Sequence, residues 1–230
     1  MRHDVILVLL DGLNHSVARD CMGHLQALCG AGRGQSYRLE CELPSLSRPL
    51  YECILTGVPP IDSGILHNDV VRLSQEQSLF HYARAAGLST AAAAYHWVSE
   101  LYNRAPFDPA RDRHTDDSAL PIQRGHFYWN DHYPDSHLFA DAESLRRRHA
   151  PNFMLVHSMN IDDAGHRHGL ASPAYRNAAR RADACEKIIV EAAATKMFAS
   201  EMCGRVADRT VAALLIAKSS TAAERGVELE

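Results

Sequence analysis

The residues of this sequence whose types could do chemistry together lie in three short stretches. Asp11 closes the apolar run "DVILVLLDGL" (4–13), Ser45 and Ser47 sit in "LPSLSRPLYECILTG" (43–57), and Asp162 and His166 fall in "NIDDAGHRHG" (160–169). Carboxylate and imidazole groups are ligands for Zn²⁺ and similar ions. A metal lowers the pKa of a hydroxyl and makes a nucleophile of it. Asp, Ser and His converging at one place would therefore suit a metal-assisted phosphoryl or sulfuryl transfer. Each also has an ordinary structural use: a strand-ending Asp-Gly is commonly a turn, a Ser before a helix an N-cap, and an Asp-x-x-x-His pair a solvated one. Their order along the chain and their placement at strand ends are what join them.

The elements that must position these groups follow from the hydrophobic pattern. The run 4–13 is apolar on both faces, as befits a strand in the middle of a sheet covered on both sides. Asp11 then falls at its C-terminal end, the edge where open α/β sheets hold their ligands. Residues 16–32 have helical spacing and end in Gly, and 34–45 alternate as a second strand would. Residues 48–57 read as a helix with Pro49 in its first turn, which puts Ser45 or Ser47 at or near the N-cap. A turn-rich loop follows (58–69), then a helix over 78–87 and a buried strand over 88–97. Residues 103–137 mix Pro, Asp, His and aromatics without period and read as an insertion over the sheet edge that could shape a substrate pocket. A helix is expected over 136–149. A buried strand then runs into an acidic, histidine-rich loop within 152–169, and a helix from Ser172 or Pro173 reaches the low 210s. Strands alternating with helices predict a three-layer α/β/α sandwich with a mostly parallel central sheet.

Composition narrows the function. The chain has 230 residues, 46% hydrophobic and 23% charged, enough for one sizeable core. A net charge of -4 gives no basic field for nucleic acid. Six cysteines occur without a CxxC pair, so a disulfide framework and a zinc ribbon are both disfavoured against reduced thiols. No segment reaches the roughly 18 apolar residues that would span a bilayer, and the N-terminal run reads as a strand and not a signal peptide. The expectation is a cytoplasmic protein without a membrane partner. Fourteen histidines invite a metal hypothesis.

Taken as a set, the motifs resemble the alkaline phosphatase superfamily, and within it the type I phosphodiesterase/nucleotide pyrophosphatase group. "LVLLDGL" resembles that family's opening metal-ligand Asp, here Asp11. "PSLSRPLYECILTGVPPIDSGILHN" resembles its Pro-Thr-x-Thr-x-Pro segment with the Thr-Gly that follows. In that register Ser47, not Ser45, takes the nucleophile's place, and Asn68 falls where the family keeps an Asn on a phosphate oxygen. "DDAGHRHG" resembles Asp-x-x-Gly-His-x-x-Gly, so Asp162 and His166 take the places of two ligands of one metal. The resemblance covers roughly residues 4 to 184. It implies a divalent-metal centre of two zinc ions about 4 Å apart, with Asp11, Ser47, Asp162 and His166 among its ligands. It also implies attack by Ser47 on phosphorus, a covalent phosphoryl-enzyme, and a small phosphodiester or nucleotide substrate. Sulfatases share the frame but need an Arg four residues after the nucleophile, where this chain has Tyr51. A cofactor-independent phosphoglycerate mutase needs a much longer chain.

Two parts of the family pattern are missing: a strand ending in Asp-His-Gly, and a late His. No His follows His168. The donors therefore fall into two half-sites, with His67, His96, His126, His132 and His168 as possible substitutes. The expected organisation is a hydrolase domain over 1–184, with the inserted region at about 103–137, and an atypical helical tail over 185–230. The fold is expected to be incomplete at the C-terminus. The stretch 191–211 resembles a C-terminal helix of acyl-CoA dehydrogenases, from which no flavin or dehydrogenase activity is inferred. Two alternatives stand beside the phosphodiesterase reading: a degenerate, non-catalytic member, and a phosphomonoesterase or phosphonate hydrolase of the same superfamily.

Overall fold

The computed structural model describes residues 4–202. Five strands form one sheet: β1 (Val5–Leu10), β2 (Thr90–Tyr95), β3 (His114–Asp116), β4 (Arg124–Tyr128) and β5 (Phe153–Ser158). Their order is β1-β5-β2-β4-β3, and every pairing is parallel except β3 with β4. The strand β1, expected in the middle of the sheet, therefore stands at its edge among the described residues, paired only with β5. All six residues of β2 and all six of β5 are buried. Because alternate side chains point to opposite faces, this shows that both faces of the sheet are covered. The helix α8 (Asp135–His149) packs on β2, β4 and β5, while α5 (Leu79–Ala85) and α6 (His96–Tyr102) also pack on β2. The fold is therefore the expected mixed α/β architecture with a mostly parallel sheet.

The parallel strands bring their C-terminal ends to one edge, and Asp11 stands there directly after β1. Its backbone N–H is held by the carbonyl of Ser158, 3.0 Å away at the end of β5. The chain then enters α1 (His15–Cys21) and α2 (Gly23–Gly30). These replace the single helix expected over 16–32. The break falls at the fully buried Met22, and the Asp183 carboxylate accepts from the N–H groups of His24 and Leu25, so that a second helix starts there.

The second strand expected over 34–45 is not formed. Residues 35–42 have no regular structure, and Tyr37, Leu39 and Leu43 are exposed at 67%, 43% and 77%. Alternation alone does not make a strand; a neighbour's backbone must take its hydrogen bonds. The expected helix over 48–57 is present as α3 (Ser47–Thr56), closed by Gly57 in the left-handed conformation. The loop that follows contains the short helix α4 (Pro60–Ser63).

Residues 103–137, expected as an inserted region, hold the short helix α7 (Pro109–Asp112), β3 and β4, and so build that edge of the sheet. The acidic, histidine-rich segment expected as a loop is helical: α9 (Asn160–His168) follows β5 almost directly. The helix α10 runs from Pro173 to Met202 and packs on α1, α2, α8 and α9. Of the tail, residues 203–230 lie outside the described residues, including the end of the 191–211 stretch. Among the described residues no helix is long and apolar enough to cross a membrane, and Cys21, Cys29, Cys41, Cys53 and Cys185 are free thiols.

Candidate active site

The cavity at the C-terminal edge of the sheet has a volume of about 370 Å³ and is lined by Gly12, Ser45, Leu46, Ser47, Asn68, Asp162, Gly165, His166 and Leu170. Five of the six residues singled out in the sequence, Ser45, Ser47, Asn68, Asp162 and His166, thus reach one space. The sixth, Asp11, lies beneath it at 4% exposure.

One wall is made by β1 and α3. Ser47 is the first residue of α3, and Leu46, not a serine, is its N-cap. The Ser47 hydroxyl donates to Asp11 Oδ2 at 2.8 Å. The Tyr51 hydroxyl donates to the same oxygen at 2.6 Å, and the Gly12 N–H donates to Asp11 Oδ1 at 2.9 Å. Burial pushes the Tyr51 phenol well up, and the Asp11 charge beside it acts in the same direction, so Tyr51 remains a donor. Ser45 also lines the cavity but accepts from Cys41 Sγ at 3.6 Å. The start of α3 turns its partial positive charge toward the cavity.

Asn68 sits on a turn closed by the Val70 N–H on the His67 carbonyl. Its Oδ1 accepts from the Arg48 N–H at 3.0 Å. That bond fixes the carboxamide's orientation and leaves Nδ2 as the donor for a ligand.

The other wall is α9. Asp162 and His166 are one turn apart, with Oδ2 and Nε2 separated by 3.4 Å, so the helix places both on one face. Asp162 is 17% exposed, whereas His166, at 81%, stands at the mouth. The walls meet at Gly12, whose φ is +69°; a Cβ there would lie 2.6 Å from the Asp162 Cα. Only glycine admits this approach. Tyr175 of α10 locks the junction, donating to the Gly12 carbonyl at 2.5 Å and accepting from the Asn14 N–H at 2.8 Å.

Three features escaped the sequence reading. Tyr51 lies four residues after Ser47, so helical spacing alone places it on the same face, and that was the available signal. The buried His157 of β5 packs edge-on to Tyr51 at 4.4 Å, and burial pushes its imidazole down to about 4, so it is neutral. Arg48 and Glu100 form a buried ion pair at 2.6 Å behind Ser47. No periodicity marks a pair of that separation.

The donors fit a metal only in part. Asp11 with Ser47 is one pair and Asp162 with His166 another, and among the described residues no group of three or more His, Cys, Asp or Glu could hold an ion. Zinc takes three or four protein ligands. The substitutes His67, His96, His126, His132 and His168 complete neither pair. The described residues thus do not make up a two-zinc centre.

The family described as type I phosphodiesterase / nucleotide pyrophosphatase matches residues 5–200. No curated protein matches significantly. Among solved structures, the chain is similar to phosphonoacetate hydrolase from Sinorhizobium meliloti 1021 in complex with phosphonoformate. The TM-score is 0.55 at 20% identity, over 80% of this chain and 52% of that one. It is similar to murine ectonucleotide pyrophosphatase/phosphodiesterase 5, an inactive variant in complex with AMP, with TM-score 0.59 at 16% identity over 82% and 52%. The human counterpart gives 0.58 at 15% identity, over the same shares. At such identities the likeness is one of fold. The chain spans about half the length of the solved structures it matches.

Proposed function

The chain belongs to the type I phosphodiesterase/nucleotide pyrophosphatase family of the alkaline phosphatase superfamily, and from that premise we propose that it hydrolyses small phosphodiester or nucleotide pyrophosphate substrates with Ser47 as nucleophile. One observation carries the reading: the Ser47 hydroxyl is already bonded to Asp11 while the same residue lines a cavity shared with Asn68, Asp162 and His166. Attack by Ser47 Oγ on phosphorus forms the Oγ–P bond and breaks the bond to the leaving oxygen. The hydroxyl proton passes to Asp11 Oδ2, the oxygen it already touches. Asn68 Nδ2 and the first turn of α3 meet the charge on the non-bridging oxygens. Water then attacks the phosphoserine, and Ser47 leaves with its proton restored.

The family is generally metal-dependent, and two zinc ions are the complement its resemblance implies. Asp11, Ser47, Asp162 and His166 would be among their ligands, with further donors needed beyond the described residues. That shortage favours one second reading, a scaffold that binds the phosphate group without turnover. The phosphonate-hydrolase alternative would break a P–C bond in the same cavity, and the monoesterase alternative a P–O bond of a more highly charged phosphate.

The test is turnover of bis-p-nitrophenyl phosphate, p-nitrophenyl phosphate and phosphonoacetate by the zinc-supplemented chain, with Ser47→Ala and Ser45→Ala beside it. Ser47→Ala is expected to abolish hydrolysis and Ser45→Ala to retain it. Equal loss in both, or in neither, sinks the assignment of Ser47. A folded wild-type chain without turnover on all three selects the scaffold.

A further inference from the structure

Arg48 follows Ser47, yet its side chain turns away from the cavity and is almost wholly buried, as is Glu100 on α6. The guanidinium divides its donors. Nη1 donates to the Val70 carbonyl at 2.9 Å and Nη2 to Glu100 Oε2 at 2.6 Å, while the Cζ lies 4.8 Å from the Trp97 ring centroid. The other Glu100 oxygen accepts from the Phe107 N–H at 2.9 Å. Arg48 also holds Asn68 through its own backbone N–H. One residue thus grips the 67–70 turn twice, at Asn68 and at Val70, and anchors that grip to α6.

Stability alone is a poor reason for such a pair. Desolvating two charges offsets most of their attraction, and well-packed apolar residues in their place are often neutral or better. What apolar residues lack is direction. A guanidinium is a rigid planar fork that bridges a carboxylate and a carbonyl in fixed geometry, whereas a lysine ammonium is a point charge on a flexible stem and an apolar side chain donates nothing.

We propose that Arg48, anchored by Glu100, is a positioning residue that holds the Asn68 turn against the first turn of α3, so that the Asn68 amide stands beside Ser47. The consequence for turnover rests on the hydrolase reading above; the consequence for the turn does not.

The single variants strand a buried charge and are expected to unfold, so both partners are changed together, as Arg48→Met with Glu100→Leu. The expected thermal midpoint is close to that of the wild type, the relief of two buried charges offsetting the bonds lost at Val70 and Phe107. Hydrogen exchange over residues 66–72 is nevertheless expected to rise about 10-fold or more through local opening, with α5 and β2 unchanged. In the same double variant, kcat/KM is expected to fall roughly 10- to 100-fold, the scale of a misplaced binding group. Adding Asn68→Ala should cost less than it does in the wild type, because the Arg48 side chain acts through the Asn68 turn, while the backbone N–H of residue 48 still holds the Asn68 carboxamide. Unchanged exchange at 66–72 overturns the proposal, as does full turnover in the stable double variant or an additive Asn68→Ala effect. If the wild-type chain does not turn over, the hydrolase reading fails and the exchange result decides the positioning role by itself.

Discussion

Gly12→Ala is the sharpest probe of how the two walls of the cavity meet. Two costs add at this position. The backbone is left-handed, φ +69°, a conformation that costs an L-residue about 1–2 kcal/mol. The new methyl would also lie 2.6 Å from the Asp162 Cα and 2.8 Å from its Cβ and Oδ1. The nearest of these atoms is backbone of α9, so a side-chain rotation does not relieve it, and overpacking of this kind costs about 1–3 kcal/mol. The expected total is about 2–5 kcal/mol, which for a chain of this size is a fall in Tm of roughly 4–20 °C. Gly87→Ala is the control. Its φ is +71° and a Cβ there meets nothing within 4 Å, so only the conformational cost applies, about 1–2 kcal/mol. Urea unfolding and differential scanning calorimetry on both variants read the difference, which isolates the approach of Asp162 to the β1 loop. Equal losses would refute the reasoning, because α9 would then not be seated against Gly12 in solution.

Two buried groups give stability opposite pH dependences. Burial raises Glu186 to about 7, with Asp183 adding to it, so its contribution is greatest below its ordinary value of 4.5 and is lost as pH rises from there to 7. The loss is about 3 kcal/mol, and Glu186→Gln should abolish it, leaving the variant more stable than wild type at pH 8 in urea titrations. Burial lowers His157 to about 4, so its contribution is complete above 6.5 and is lost as pH falls from 6.5 toward 4, by about 3 kcal/mol. His157→Leu should flatten that acid side, and an unchanged acid limb would contradict its burial as neutral imidazole. Elemental analysis after zinc loading and gel filtration should find fewer than two ions per chain, since the described donors come only in pairs; two retained ions would show that further donors complete the centre.

Much of the fold could be read because its long parallel strands are covered on both faces. Val5–Leu10 and Thr90–Tyr95 are continuous runs of apolar or small residues, and Phe153–Ser158 is interrupted only by His157, as strands covered on both sides require. The same pattern implies a place for Val5–Leu10 in the middle of the sheet, whereas among the described residues it lies at an edge. The Ser47 helix was marked by Pro49 near its start and Gly57 after its end. The helix α9 was not marked. Its sequence is polar, with Gly165 inside, and among its side chains only Ile161 is fully buried. What holds it is tertiary: Gly165 lies against Tyr175, and Asp162 against Gly12. The 34–45 stretch failed in the opposite sense, with a strand's alternation but no neighbour to bond. In β4, the half-buried Arg124 and His126 alternate with buried Gly125 and Phe127 over only five residues, too short a pattern to stand out from the irregular sequence around it.

The candidate site shows the same division. Asp11, Ser45 or Ser47, Asp162 and His166 could be chosen by type and placement, and the family resemblance singled out Ser47 and added Asn68, yet the residues that hold them take their meaning from the fold. Tyr51 shares Asp11 with Ser47, Arg48 holds the Asn68 turn, and Tyr175 locks the loop that carries Gly12 against Asp162. In these contacts Asp11 is satisfied by two hydroxyls and a backbone N–H, all from the chain itself. A buried carboxylate left without partners would carry a large desolvation penalty. The internal hydroxyls remove that penalty, so this wall of the cavity keeps its shape on the chain's own hydrogen bonds. Binding of the phosphate group and complete metal ligation are therefore separable demands on this fold. On the proposed reading the first falls to Asn68 and the first turn of α3, which line the cavity where the walls meet at Gly12, and the second depends on donors beyond the two pairs.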